Sequence, residues 1–355
     1  MTVRASWLES REQTPAQALA LLPLAAVAVL YGAGARLHRA LYRSGALRPA
    51  RLANRVVSVG NLVTGGTGKT PLAAWLATRL HGRGHKVVLA SRGYGRARRS
   101  DEPVLVVSDG RFVRSRVEVA GDEPMVLAAH APGVPVLVGR DRALVGLRAL
   151  SAFGADVLVL DDGFQHHALH CDLDIVTFDG SLGFGNGWVL PRGPLREPPA
   201  ALRRADAVGV VDGPLAPGDA ERLERHSPAA QRFDARRVPL ALRPLAGGPG
   251  MALDTLEGAD VGLLAGLAGP ASFRRTLEGL GARVVAELTF RDHHRYRERD
   301  LRDLGRRARL WVTTEKDAVK ILPSWVRGAE LLVLSIVLEV EAPERFIDWV
   351  EARLR

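Results

Sequence analysis

Residues 55–70 read RVVSVGNLVTGGTGKT, a β-branched run that enters a glycine-rich turn and then a helix. Gly65, Gly66 and Gly68 allow positive φ and close approach, so successive backbone N–H groups from Thr64 through Thr67 can wrap phosphate oxygens. Lys69 would reach the β- and γ-phosphates, and Thr70 would place its hydroxyl on Mg²⁺. The first glycine of the full phosphate-loop pattern is absent, because Val63 stands there, so this is a variant P-loop. Lys69 carries independent weight: only four of the 49 basic residues are lysine, namely Lys69, Lys86, Lys316 and Lys320.

A phosphate loop needs a carboxylate at the end of a neighbouring strand. The run 156–162, DVLVLDD, is a buried strand that delivers Asp161 and Asp162 to its carboxyl end, where open α/β sheets bind ligands. Phosphoryl transfer to an alcohol also needs a group that accepts the hydroxyl proton. Asp122, at a helix start in GDEP (121–124), has the right chemistry, and its neighbour Glu123 could reach the metal. Asp292, His293, His294 and Tyr296 form a polar cluster in FRDHHRY (290–296), where a histidine paired with a carboxylate could orient the base. Lys316, in TTEKD (313–317), is a candidate to pack its aliphatic stem on the nucleotide base.

These groups need a rigid frame. Short apolar runs at 55–59, 86–90, 134–138, 156–160, 173–178 and 207–211 alternate with helical spacing at 69–83, 123–131 and 140–153, which predicts a mostly parallel sheet covered by helices. A hairpin is expected within 104–117, turning at Asp109-Gly110. A second alternation has strands near 261–265, 283–288, 310–313 and 331–335, with helices near 272–280, 298–307 and 342–353. The expected partition is a basic anchor segment (1–50), a P-loop kinase domain (51–212), a Pro/Gly-rich connection (213–250) and a smaller α/β domain (251–355).

At the front, residues 18–35 lack any charge and meet the lower limit for a membrane-spanning helix, although Pro23, Gly32 and Gly34 weaken it and an interfacial seat is also open. Arg4 and Arg11 precede the run against Glu9 and Glu12, whereas Arg36, Arg39, Arg43, Arg48, Arg51 and Arg55 follow it. The positive-inside rule then keeps the rest of the chain cytoplasmic.

The 355 residues carry a net charge of +10, a surplus suited to phosphate-bearing ligands or anionic leaflets. No basic stripe is interleaved with aromatics, so nucleic acid is not an expected partner. The single cysteine, Cys171, excludes an intramolecular disulfide and fits a reducing compartment. His166, His167 and His170 lack the matched second pair that a zinc site needs. Gly183–Gly187 imitates a dinucleotide fingerprint, but no helix follows it.

Taken together, SVGNLVTGGTGKTP (58–71), SRGYGR (91–96), GDEP (121–124), VLVLDDGFQH (157–166), LPRGPLREP (190–198), FRDHHRY (290–296) and VTTEKDA (312–318) resemble the tetraacyldisaccharide 4′-kinases, the lipid A 4′-kinases of the Gram-negative inner membrane. The match runs in order along nearly the whole chain. It implies a two-domain P-loop fold with the site in the interdomain cleft, and transfer of the ATP γ-phosphate to the 4′-hydroxyl of a tetraacyl glucosamine disaccharide 1-phosphate, giving lipid IVA. It further implies Mg²⁺, an acylated disaccharide substrate at the cytoplasmic face of the inner membrane, and no obligate protein partner. Carried over by motif position, Lys69 and Thr70 bind phosphate and metal, Asp161 and Asp162 form the acidic metal-side motif, and Asp122 with His293 is the catalytic dyad. Arg92, Tyr94, Arg192 and Arg196 fall in motifs assigned to substrate or phosphate contacts. The main rival is a P-loop ATPase that switches a protein partner; such proteins place a lysine just before the double glycine, where this chain has Thr64.

Overall fold

The computed structural model describes residue 10 and residues 13–94, 102–267 and 269–355. Arg4, Glu9, Arg11 and Glu12 of the N-terminal flank and the Gly95-Arg96 end of the SRGYGR motif lie outside them. The chain divides into two compact units. One comprises the N-terminal part through Arg92, Gly139–Arg236 and Glu339–Arg355; the other comprises Gly93–Val138 and Arg237–Leu338. The segment 93–138 and the last helix therefore pack with partners far away in sequence, unlike the linear partition expected above.

The first unit is a parallel sheet. Strand Arg55–Asn61 lies centrally, with Val157–Asp161 on one side and Leu173–Asp179 on the other. Val87–Ser91 extends the sheet beyond 157–161, and Ala207–Val211 followed by the start of Gln231–Pro244 extends it beyond 173–179. The near-continuous burial of Val56, Val57, Val59, Leu158, Val159 and Leu160 follows from helices covering both faces. Helix Lys69–Gly82 buries Leu72, Leu76 and Leu80 from one stripe. The central register pairs Val59 with Asp161, so the P-loop and the acids leave the sheet at the same edge. The Pro/Gly-rich stretch read as a connection holds the helix Pro217–His226 and that long strand Gln231–Pro244. A loop composition hid them, because Pro217 sits in the first helical turn, where proline is tolerated.

The N-terminal apolar run folds as two helices, Pro15–Ala20 and Leu22–Arg43, broken at Leu21 ahead of Pro23. No helix among the described residues is long and apolar enough to cross a membrane, which corrects the expected spanning anchor. The physical reason is length. After the break, about 14 uncharged residues remain before Arg36, roughly 21 Å of helix against the ~30 Å of a bilayer core. One face of the longer helix buries Ala28 and Gly32, and Tyr31 donates its hydroxyl to the Arg196 carbonyl at 3.0 Å. Leu22, Val29, Leu30 and Leu37 remain exposed.

The second unit carries a parallel sheet ordered 283–289, 260–265, 310–314 and 330–340. Its core gathers Val261, Leu263, Phe273, Leu277, Val312 and Leu332 on one face, and Leu264, Leu301, Trp311 and Leu331 on the other. The expected hairpin forms as strand Val104–Asp109 and a bridge from Ser108 to Val113, with the Asp109 carboxylate accepting from the Arg111 and Phe112 N–H groups. The expected helix 298–307 is two short pieces, Glu298–Leu301 and Leu304–Arg307.

Candidate active site

In the first unit, Gly68 caps helix Lys69–Gly82 in the left-handed region (φ 81°), and a Cβ there would press on Val211 at 3.2 Å. Only glycine turns the chain into this helix without displacing the strand beside it. A buried polar network shapes the loop: Asn61 Nδ2 donates to Thr67 Oγ1 at 2.9 Å, and Thr67 Oγ1 meets Thr177 Oγ1 at 3.0 Å. Sequence reading missed Asn61 and Thr177; Asn61 is the last residue of its strand and Thr177 stands between Val176 and Phe178 near the end of the neighbouring one, and those positions were the available signal.

Thr64 differs from expectation. Its N–H and its hydroxyl both donate to the Pro194 carbonyl, at 2.8 and 3.1 Å, so both donors are already engaged within the protein. Val63, in place of the missing glycine, bridges to Leu195 and is fully buried. Together these contacts tie the loop entrance to the segment 190–198.

The acids stand where the strand predicted. Thr70 Oγ1 donates to Asp161 Oδ2 at 3.1 Å, bringing a hydroxyl and a carboxylate together one residue beyond Lys69. That donor set fits Mg²⁺, which accepts one or two protein oxygens and otherwise keeps water and phosphate ligands. Asp162 follows with φ 58°, an unusual conformation for a non-glycine residue, and receives Arg196 Nη1 at 2.7 Å. Burial pushes the Asp162 carboxyl up, but Lys69 and Arg196 outweigh it and hold it below the usual carboxylate range. Arg196 is thus committed to Asp162. Arg192 is buried, stacks over Trp188 at 4.0 Å, and its Nε and Nη1 make no hydrogen bond among the described residues. Arg92 is exposed.

The second unit assembles the acid–base group. Gly121, at φ 93° and with no room for a Cβ against the Tyr94 carbonyl at 2.6 Å, starts helix Asp122–His130. Asp122 is 3% exposed. Its two oxygens each lie 3.0 Å from His293 Nδ1, and because a carboxylate only accepts, Nδ1 carries the proton. His293 itself is in the left-handed region (φ 57°), and Tyr94 packs edge-on to its ring at 4.9 Å. Lys316 Nζ lies 3.3 Å from His293 Nε2, 3.0 Å from Asp292 and 3.7 Å from Glu123. Burial pushes the Asp122 carboxyl up, yet the His293 hydrogen bond and the Lys316 charge prevail and hold it low. The far end of the same helix is pinned by His130, whose Nε2 is 2.6 Å from Glu315, the residue before Lys316. Lys320, unnoticed in the sequence, reaches Asp122 at 3.4 Å.

A parallel α/β sheet with a glycine-rich loop, a lysine, and a threonine facing a strand-end aspartate defines a P-loop nucleotide-dependent phosphotransferase. The family model for tetraacyldisaccharide-1-P 4′-kinase matches residues 18–355, so the chain belongs to the tetraacyldisaccharide 4′-kinase family. It is 44% identical to the tetraacyldisaccharide 4′-kinase of Anaeromyxobacter sp. strain Fw109-5, covering 92% of this chain and 89% of that protein. It is 41% identical to that of Syntrophus aciditrophicus, over 97% and 95%. The crystal structure of LpxK from Aquifex aeolicus in complex with ATP is similar, with TM-score 0.74 and 30% identity, covering 95% of this chain and 99% of that one.

Proposed function

We propose that this chain transfers the γ-phosphate of ATP to the 4′-hydroxyl of a tetraacyl glucosamine disaccharide 1-phosphate, forming lipid IVA. The observation that carries the reading is the Asp122–His293 pair, a buried charged carboxylate in contact with an imidazole, in a chain that also holds a formed phosphate loop. A P-loop switch that hydrolyses ATP to move a protein partner has no use for a group that accepts an alcohol's proton.

Lys69 and backbone N–H groups of the loop 65–68 other than that of Thr67, which donates to the Gly65 carbonyl, would hold the triphosphate, and Thr70 and Asp161 would hold Mg²⁺, which neutralises charge on the phosphate oxygens. Asp162 is occupied by Arg196, which favours Asp161 as the metal-side acid and Asp162 as a positioning group. Asp122 accepts the proton of the attacking hydroxyl; His293 fixes the carboxylate's orientation by donating from Nδ1. The Lys316 ammonium lies against Asp292, His293 and Glu123, which favours a charge role over the nucleotide-base contact expected of it. Glu123 as a metal contact competes with the same ammonium. Arg192, with free guanidinium donors, suits a substrate phosphate, and exposed Tyr94 and Arg92 suit sugar or headgroup contacts.

Purified protein given γ-labelled ATP and the tetraacyl disaccharide is expected to move label into lipid at the 4′ position, and to consume little ATP without it. Lipid-independent hydrolysis at the same rate would overturn this reading.

Helix Leu22–Arg43 seats the enzyme in the interface of an anionic leaflet rather than across it. Its exposed Leu22, Val29, Leu30 and Leu37 supply apolar area, and Arg36, Arg39 and Arg43 supply charge. Flotation with vesicles containing ~30% anionic lipid checks this: Leu30→Asp combined with Leu37→Asp should move most of the protein to the unbound fraction while leaving the melting temperature within about 2 °C. Unchanged flotation would remove the helix from that role.

A further inference from the structure

Lysine is the rare basic residue in this chain, yet two of its four lysines, Lys316 and Lys320, stand four positions apart, one 3.7 Å from Glu123 and the other 3.4 Å from Asp122. Lys316 projects to the His293 side of the pair. Lys320 belongs to no motif used above. Its side chain is 9% exposed; Nζ is 3.0 Å from Asp317 Oδ1 and 3.4 Å from Asp122 Oδ2, ion-pair contacts in which Nζ makes no hydrogen bond among the described residues, and it lies over the Tyr296 ring at 5.5 Å.

The partners of Lys320 are themselves fixed. Asp317 is fully buried, and its Oδ2 accepts from the Gly266 N–H and from Thr314 Oγ1, both at 2.9 Å. A Cβ at Gly266 would come within 2.9 Å of Asp317 Oδ1 and 3.1 Å of Tyr296 Oη, so the backbone at Gly266 closes directly on the two side chains that flank the ammonium. A compact ammonium on a four-carbon stem and a planar guanidinium differ in shape and donor geometry, so arginine is not expected to reproduce the contacts of this lysine.

We infer that Lys320 is a positioning residue of the proton-transfer centre: its ammonium, paired with Asp317 and lying over Tyr296, attracts Asp122 Oδ2 while His293 Nδ1 contacts both carboxylate oxygens. The inference rests on the reading of Asp122 as the base. A charge biased toward one oxygen, beside a hydrogen bond shared by both, disfavours rotation of the carboxylate and so aligns a lone pair for the incoming hydroxyl. A residue that acts through Asp122 changes turnover and leaves binding of nucleotide and acceptor nearly unchanged.

The test is a double-mutant cycle on the full chain, with Lys320→Met and Lys320→Arg made alone and with Asp122→Asn. Lys320→Met is expected to lower kcat roughly 30-fold, inside the ~100-fold that a misplacement of about 1 Å can cost, with both KM values within about twofold. Lys320→Arg should not restore it. In the Asp122→Asn background, Lys320→Met should cost less than about twofold, because there is no longer a base to position. Equal losses in both backgrounds, a change confined to KM, or full activity in Lys320→Arg would each overturn the inference. Should Lys320→Met fail to fold, Lys320→Arg keeps the charge and carries the same cycle: its loss of kcat must vanish with Asp122→Asn. A wild-type kcat in Asp122→Asn alone would instead refute the assignment of the base, a result readable from that single variant.

Discussion

Replacing Lys69 with alanine is expected to lower kcat at least about a thousandfold, with a melting temperature within about 2 °C of the parent protein. The size follows from the role: a cation aimed at transferring phosphate oxygens is worth on the order of 10³ or more in turnover. The intact fold follows from position. Lys69 is the first residue of its helix and only half-buried, while the packing of that helix comes from Leu72, Leu76 and Leu80. A second consequence can be read separately. Burial pushes the Asp162 carboxyl up and Lys69 is the largest charge opposing it, so in Lys69→Ala the Asp162 pKa must rise, leaving Arg196 and the Arg142 charge to hold it down. Steady-state rates and thermal melts check the first claim, and near-normal turnover would remove Lys69 from phosphate binding.

Asp122→Asn is the sharper test of chemistry, because the amide keeps the size of the side chain and loses the basic oxygen. Turnover is expected to fall by about 10²–10⁴, the usual worth of a general base, with KM for both substrates within about twofold. Asp122→Asn and His293→Ala together should cost little more than Asp122→Asn alone, since both act through one proton transfer. The sign of the pH effect also follows. The Asp122 carboxyl is held below the ordinary carboxylate range by the His293 hydrogen bond and the Lys316 charge, so it stays charged in mildly acidic solution and the acid limb attributable to it lies below that of an ordinary aspartate. An acid limb well above the ordinary carboxylate range would point to a group other than Asp122 as the base. Additive losses in the double variant would break the pair into independent parts.

The phosphate end was legible in the sequence because its parts are neighbours along the chain. A strand, three glycines, Lys69 and Thr70 fall within sixteen consecutive positions, and the apolar run 157–160 fixes where Asp161 emerges. Local backbone geometry converts such spacing into a site with little help from the rest of the molecule. The resemblance to a known family added the pairing of Asp122 with His293, which spacing alone could not supply. Thr64 was misassigned because its donors are taken by Pro194, 130 residues away. The spanning anchor failed for a related reason: counting uncharged residues ignores the helix break at Leu21 and the protein surface that Ala28, Gly32 and Tyr31 occupy.

What the amino-acid order determined by itself was the loop, the acids after their strand and the alternation that makes a parallel sheet, since each depends on periodicity and on contacts a few residues long. Tertiary structure alone decided that residues 93–138 pack with 237–338, that Asp122 meets His293 across 171 positions, and that the Lys320 ammonium comes within 3.4 Å of that carboxylate. Those contacts depend on how buried apolar faces bring distant segments together, and no local pattern in the chain encodes that distance.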